Sequence, residues 1–279
     1  MKLNEQLEKM ARLIAKKTKD CLASIHIDAA GLIRLGETHD ERLENFNQLI
    51  LRAESLGGKI MIPTFSYTYP KKMPFNLLET PSDVGIVTEY LRKKNPLKRT
   101  ADGMFSYLLF NNDPNSRYFD IENYEIFGDD SLIGELFNSN GHICCIGNVF
   151  HNAPTEVHFL ERLLNVPYRF NKTMSGEFID KQGKSIKQNL IFYCRDLDYK
   201  MFSDMTRLET SLRNNDCFDY WKKNNLDFVI EAVRFKKIFE IIKIEIEKDP
   251  MFLCSEYEDK RNNLQKRRLL SRFNQIDYL

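Results

Sequence analysis

Four short apolar runs separated by amphipathic segments limit most strongly what this chain can fold into. Residues 21–28, 59–65, 105–110 and 142–147 are too short for core helices and read as buried strands. Between them, apolar residues recur at helical spacing. Leu3, Leu7, Met10, Leu13 and Ile14 mark a helix ahead of the first run. Leu43, Phe46, Leu49, Ile50 and Leu56 mark a second, which Gly57-Gly58 stops. Ser82 is the expected N-cap of a third helix running towards Lys94, ended by Pro96; Ser131 is the expected cap of a short fourth over residues 132–137. Strands alternating with helices predict an α/β fold, a layered α/β/α sandwich around a central mixed sheet.

The pattern changes after Lys172. Residues 177–180 and 186–194 flank a Lys-Gln-Gly-Lys turn and predict a β-hairpin. Residues 226–235 suggest a strand, residues 236–248 an amphipathic helix, and the charged stretch from Glu256 a peripheral tail. The expected organisation is a core over residues 1–172 and a small hairpin and helical portion over residues 173–279 that completes the same domain.

Bulk properties remove several function classes. Lys and Arg number 41 against 40 Asp and Glu, so the formal net charge of +1 offers no global attraction to nucleic acid. Six scattered cysteines with no CxxC pair argue against a zinc site and a disulfide framework. No apolar run approaches a membrane span, and the charged first twenty residues lack the apolar centre of a signal peptide, so the expected location is cytoplasmic. Neither GxGxxG nor GxxxxGK[ST] occurs.

The chemistry concentrates after Gly147. Thr155, His158 and Glu161 recur every third residue, so a helix starting near Pro154 places all three on one face. A histidine beside a carboxylate at the mouth of a strand is a candidate general base with its orienting partner. Glu156 faces elsewhere on that helix and is the weaker partner; Asp28, ending the first strand, can reach the same place. His26, in an apolar strand, reads first as a core residue. Cys144 and Cys145 are adjacent in a strand, point to opposite faces, and read as packing rather than as an acyl-carrying nucleophile.

Five blocks in order resemble the antibiotic N-acetyltransferase family, whose best-known members acetylate the 3-amino group of aminoglycosides. GGKIMIPTFS at residues 57–66 resembles the family's glycine-led strand ending in Pro-Thr-Phe. Phe75, Thr80-Pro81-Ser82, Gly85, Glu89, Arg92 and Pro96 follow its next block. Arg99-Thr100-Ala101-Asp102-Gly103-Met104-Phe105-Ser106 resembles Arg-Ser-x-His-Pro-x-x-Ser, and Phe127-Gly128-Asp129-Asp130-Ser131 resembles Phe-Gly-x-x-Ser-Pro. Thr155, His158 and Glu161, followed by Val166-Pro167-Tyr168 and Lys172, resemble the block that carries the family's catalytic histidine. The departures are Asp102-Gly103 in place of His-Pro, Leu132 in place of proline, and His26-Ile27-Asp28-Ala29 where relatives have His-Ser-Ser-Leu.

The resemblance implies direct acetyl transfer from acetyl-CoA to a primary amine, with no metal. It implies His158 as base, Glu161 as its partner, and Asp28, Thr64, Phe65, Ser66, Ser82, Arg99, Ser106, Ser131 and Thr155 as ligand-binding residues. The hydroxyls are expected either to hold coenzyme A or, at Ser82 and Ser131, simply to cap helices; Arg99 is expected to contact an anion or form a structural ion pair. Coenzyme A and an amino-sugar acceptor are the implied partners, the C-terminal portion completes the acceptor site, and homo-oligomerisation stays open. Balanced charge and the lysine pairs Lys71-Lys72 and Lys93-Lys94 tilt the expected acceptor towards a nucleotide-linked or glycan-precursor sugar, ahead of an aminoglycoside. A binding protein without turnover is the competing class.

Overall fold

The structure is a computed structural model that describes residues 3–111, 113, 115–120, 123–147, 150–152, 154–196, 202–223 and 226–255. The expected tail from Glu256, and Asn148 and Val149 after the fourth apolar run, lie outside the described residues.

The chain opens with α1 (Leu3–Thr18), β1 (Ala23–Ile27), α2 (His39–Ser55) and β2 (Ile60–Pro63). There follow β3 (Phe75–Asn76), α3 (Ile86–Lys94), β4 (Tyr107–Phe110), β5 (Tyr124–Glu125), α4 (Leu132–Asn138), β6 (His142–Ile146) and α5 (Val157–Leu163). The remainder is β7 (Arg169–Ile179), β8 (Ser185–Arg195), β9 (Phe202–Ser203), α6 (Thr206–Asn214), β10 (Phe218–Lys223), β11 (Leu226–Arg234), α7 (Phe235–Lys248) and β12 (Cys254–Ser255).

The central sheet is mixed, in the order β10-β11-β6-β1-β2-β4. β1 runs parallel to β2 and β6, while β4 and β11 pair antiparallel on either side. Strand alternation divides the core in two. On one face Ile25, Ile62, Leu108, Cys144 and Ile230 meet Met10 and Ile14 of α1, Phe46 and Ile50 of α2, and Leu91 of α3. On the other face Met61, Tyr107, Leu109, Ile143 and Cys145 meet Leu136 of α4, Leu160 of α5, Leu208 of α6 and Ile238 of α7. This is the expected sandwich, and the buried cysteines do point to opposite faces.

Local signals explain most boundaries. At α2, Thr38 accepts from the Glu41 amide while the Glu41 carboxylate accepts from the Thr38 amide, a capping box. Ser131 caps α4 by accepting from the Gly134 amide at 3.0 Å. Ser82 does not cap α3: the cap is Gly85, whose φ of 129° lies outside the range favoured by L-residues. Ser82 sits three residues earlier, with its hydroxyl 3.0 Å from that of Thr88 and its amide bound by Glu89.

The hairpin is longer than the sequence suggests, with β7 and β8 paired from Arg169↔Arg195 to Ile179↔Ser185. A second sheet forms around it in the order β3-β7-β8-β5. The expected division after residue 172 therefore falls inside β7, and β10 and β11 extend the central sheet itself. α6 and β10 have few apolar residues: Leu208 and Leu212, one helical turn apart, are the buried residues of α6, and Trp221 that of β10.

Candidate active site

The site grows from the C-terminal ends of two adjacent parallel strands. β1 gives way to a 3₁₀ segment over residues 29–35, capped by Asp28, whose Oδ1 accepts from the Ala30 amide at 2.7 Å. β6 ends at Gly147, at φ 90°. A Cβ on Gly147 would lie 2.9 Å from the Gly31 amide nitrogen, so glycine allows the two strand exits to touch. Beyond that contact the chain turns through Pro154 into α5, with the carbonyls of Pro154, Thr155 and Glu156 accepting from the amides of Val157, His158 and Phe159. Thr155 therefore lies in the turn before the helix rather than within it.

His158 and Glu161 meet across one turn of α5. Nδ1 of His158 lies 2.5 Å from Oε2 of Glu161, and Tyr168 donates to the other carboxylate oxygen at 2.9 Å. Arg169 brings Nε to 2.7 Å from Oε2. That N–H is not directed at the oxygen, so the contact is an ion pair without an aligned hydrogen bond. Glu161 is fully buried, whereas the His158 side chain keeps 16% exposure, and its ring meets Phe127 edge-on at 5.6 Å. Burial opposes the ionised form of Glu161, but Arg169, His158 and Tyr168 outweigh it and hold the carboxyl below its usual range. Burial and the adjacent Arg169 charge lower His158 despite Glu161, so the resting imidazole is neutral.

A second network lies beside the first. Glu156, fully buried, accepts from Ser24 at 2.5 Å and Tyr107 at 3.1 Å on one oxygen, and its other oxygen is 2.9 Å from Nε2 of His26. Burial disfavours its charge, yet His26 and Ser24 hold Glu156 below its usual range. Far apart in sequence, these two residues are joined by register and burial. Ser24 lies 3.4 Å from the same Nε2. A nucleophilic triad needs the hydroxyl and the carboxylate on opposite ring nitrogens, so this is not one.

A third cluster ties down the segment entering α5. The His151 amide and Nδ1 lie 3.1 and 2.8 Å from one oxygen of Glu209. Arg213 then bridges Glu209, at 2.6 Å, to Glu231, at 3.0 Å. The C-terminal portion thus reaches the mouth of the central sheet through α6 and β11.

The other sequence candidates separate by burial. Arg99 is buried and donates to Ser106 Oγ at 2.9 Å, to the Thr64 carbonyl at 2.8 Å and to the Thr80 carbonyl at 2.5 Å, while stacking on Phe75. It holds backbone carbonyls together, which is neither the anion contact nor the ion pair expected for it. Thr64 and Ser106 bond each other at 3.2 Å inside the same knot. Phe65 packs between Phe105 and Tyr107, and Ser66 is buried 3.4 Å from the Gly103 carbonyl. Ser131 is committed to its cap. These side chains are already paired in the interior, whereas Asp28 is exposed and Thr155, His158 and Ser82 are partly exposed. At the histidine departure, Asp102 accepts from the amides of Met104 and Phe105, each at 2.7 Å, and from Tyr124 at 2.5 Å. That carboxylate fastens a turn.

Chemically, a neutral imidazole whose Nδ1 is held by a carboxylate leaves Nε2 to accept a proton. An acyl donor such as a thioester fits this donor set, which needs no metal-bound water; among the described residues no group of three His, Cys, Asp or Glu side chains is arranged to hold a metal ion. Among them, also, no helix is long and apolar enough to cross a membrane.

The whole architecture is similar to that of several solved structures. The aminoglycoside acetyltransferase AAC(3)-IVa apoenzyme superposes with a TM-score of 0.61 at 16% identity over 90% of each chain. AAC-IIIb in a binary complex with CoASH gives 0.62 at 14% identity over 87% of this chain and 96% of that one. The YokD protein from Bacillus subtilis gives 0.60 at 14% identity over 86% and 99%. A comparison with curated protein sequences finds no match. The family model for aminoglycoside 3-N-acetyltransferase matches residues 40–234, a span that contains His158, Glu161, Glu156 and Arg169. The chain accordingly belongs to the aminoglycoside 3-N-acetyltransferase family, whose members are acetyl-CoA-dependent N-acetyltransferases.

Proposed function

We propose that this enzyme acetylates a primary amine of an aminoglycoside, with His158 as general base. The observation that carries the reading is the neutral His158 imidazole held through Nδ1 by a buried, ionised Glu161, inside the segment matched to the family. The acceptor first favoured from sequence, a nucleotide-linked or glycan-precursor sugar, draws no specific support from the family match, which favours the aminoglycoside. Asp28 adds to that: an exposed carboxylate stands at the strand exit where relatives carry hydroxyls, and an ammonium-rich acceptor complements it.

The proposed chemistry is a direct displacement. Acetyl-CoA, when bound, supplies the activated acyl carbon. His158 Nε2 removes the proton from the attacking amine as the C–N bond forms. Glu161 stabilises the imidazolium through Nδ1. His158 then returns the proton to the sulfur as the C–S bond breaks, which regenerates the neutral ring and leaves an amide and a thiol. A well-placed base contributes about 10²–10⁴-fold.

Thiol release from acetyl-CoA, measured with sisomicin, apramycin and a nucleotide-linked amino sugar, tests the acceptor. Turnover with the aminoglycosides is the expected result. Turnover with the nucleotide-linked sugar alone, or with none of the three, overturns the reading.

A further inference from the structure

Arg169 is the first residue of β7, and its side chain is only 4% exposed. A guanidinium so deeply buried requires compensation, and three elements provide it. Nη1 donates to the Tyr193 carbonyl on β8 at 3.3 Å, Nη2 donates to Ser203 Oγ on β9 at 2.9 Å, and Nε pairs with Glu161 on α5 at 2.7 Å. The same Nη2 lies 3.4 Å from Nε2 of His158. His158 is thus bracketed by partners of opposite polarity.

That bracketing decides the tautomer. An ionised carboxylate accepts only, so the nitrogen beside Glu161 must carry a hydrogen. A guanidinium donates only, so the nitrogen beside Arg169 must present its lone pair. The result is Nδ1–H with Nε2 free to accept, the form the transfer needs. Because Oε2 of Glu161 is shared between His158 and Arg169, its charge is divided between them.

We propose that Arg169 is a positioning residue for the transfer: it holds His158 in its proton-accepting tautomer, and its Nη2 is the donor that the acceptor amine displaces from Nε2. This rests on His158 being the base. The charged and titratable groups around the ring are Glu161 and Glu156 at α5 and Arg169 on β7, with Tyr168, Tyr193 and Cys254 surrounding the Glu161–Arg169 pair. Without Arg169, Glu161 faces the imidazole unopposed, and the ring protonates more readily.

The test is the pH profile of kcat together with the ¹⁵N spectrum of the His158 ring in Arg169→Gln, Arg169→Lys and Ser203→Ala. In Arg169→Gln the acid limb is expected to move to higher pH, with kcat depressed about tenfold more near pH 6 than near pH 8.5 and KM for acetyl-CoA held within about twofold. Arg169→Lys keeps the charge and is expected to restore the limb while regaining only part of the rate. Ser203→Ala loosens Nη2 and is expected to lower kcat, and it remains informative if Arg169→Gln does not fold. An unchanged limb and unchanged tautomer in the folded variants, alongside an inactive His158→Ala, would overturn the role of Arg169. A His158→Ala enzyme with full activity would instead remove the base assignment itself.

Discussion

Oε2 of Glu161, one turn further along α5, lies 2.5 Å from Nδ1 of His158, and Arg169 on the hairpin strand that follows pairs with the same oxygen at 2.7 Å. The short helix supplies the spacing; Tyr168 and Arg169, which follow it in the chain, keep Glu161 charged although its side chain is fully buried. Removing His158 should therefore delete the chemistry without dismantling the fold. His158→Ala is expected to lower turnover by about 10²–10⁴-fold. Calorimetric binding of coenzyme A should stay within about twofold, because the substitution removes a proton acceptor rather than a ligand contact. The wild-type rate has a definite pH sign as well. His158 is depressed below its ordinary value, so the rate should be full at neutral pH and fall only as the pH drops below about 6.5.

Glu156 is a structural keystone of a different kind. Its carboxylate meets Nε2 of His26 and satisfies the hydroxyls of Ser24 and Tyr107 in the core. Glu156→Ala leaves these buried groups without their acceptor, each unpaired group costing about 1–3 kcal/mol, and should cost about 3–5 kcal/mol together. Glu156→Gln keeps the shape and an acceptor oxygen and should cost about 1–3 kcal/mol. Urea unfolding of both variants checks the order, and equal losses would contradict it.

Direct transfer makes the paired cysteines dispensable for catalysis. Burial pushes Cys144 well above the usual thiol range, and burial next to Glu156 raises Cys145, so neither is a resting thiolate. Cys144→Ala and Cys145→Ala, singly and together, should turn over within about twofold of wild type once corrected for folded fraction, each destabilising by about 1 kcal/mol. Loss of all turnover on replacing Cys145 would indicate an acyl-cysteine route.

His142 should contribute an acid-sensitive share of stability. It is buried against Trp221, and burial, reinforced by Arg234, lowers it to about 4. The unfolded residue titrates near 6.5, so between these values the unfolded chain binds more protons and folding weakens as pH falls. The contribution is complete above about pH 6.5 and lost by about pH 4, amounting to about 3 kcal/mol. His142→Phe removes the titration, so the stability difference between pH 7 and pH 4.5 should shrink relative to wild type in denaturant titrations.

Much of this was legible from spacing alone. Apolar runs and helical periodicity determined the layered α/β fold, the glycine stop after α2 and the cap at Ser131. The i, i+3 relation of His158 and Glu161 needs no tertiary information, because one helical turn brings the two side chains together. What spacing does not carry is contact between elements. Ser82 looked like a helix cap until Gly85, three residues on, took that place through a backbone conformation open to glycine. Thr64, Ser66 and Ser106 look available to a ligand because they sit at strand ends, and Arg99 reads as an anion contact or a structural ion pair. Folding turned them inward, since a buried hydroxyl or guanidinium must be satisfied and they satisfy one another and nearby carbonyls.

The same distinction runs through the site. Helical spacing is enough to put His158 and Glu161 on one helix face. The pairing of Glu156 with His26 arises from the β1 register and the burial of Glu156 at the start of α5, and Arg169 closes the ring of partners around His158 from a separate element. Local periodicity is a property of one segment. The charge state of a buried group depends on every element packed against it, and those elements are assembled only in the folded chain.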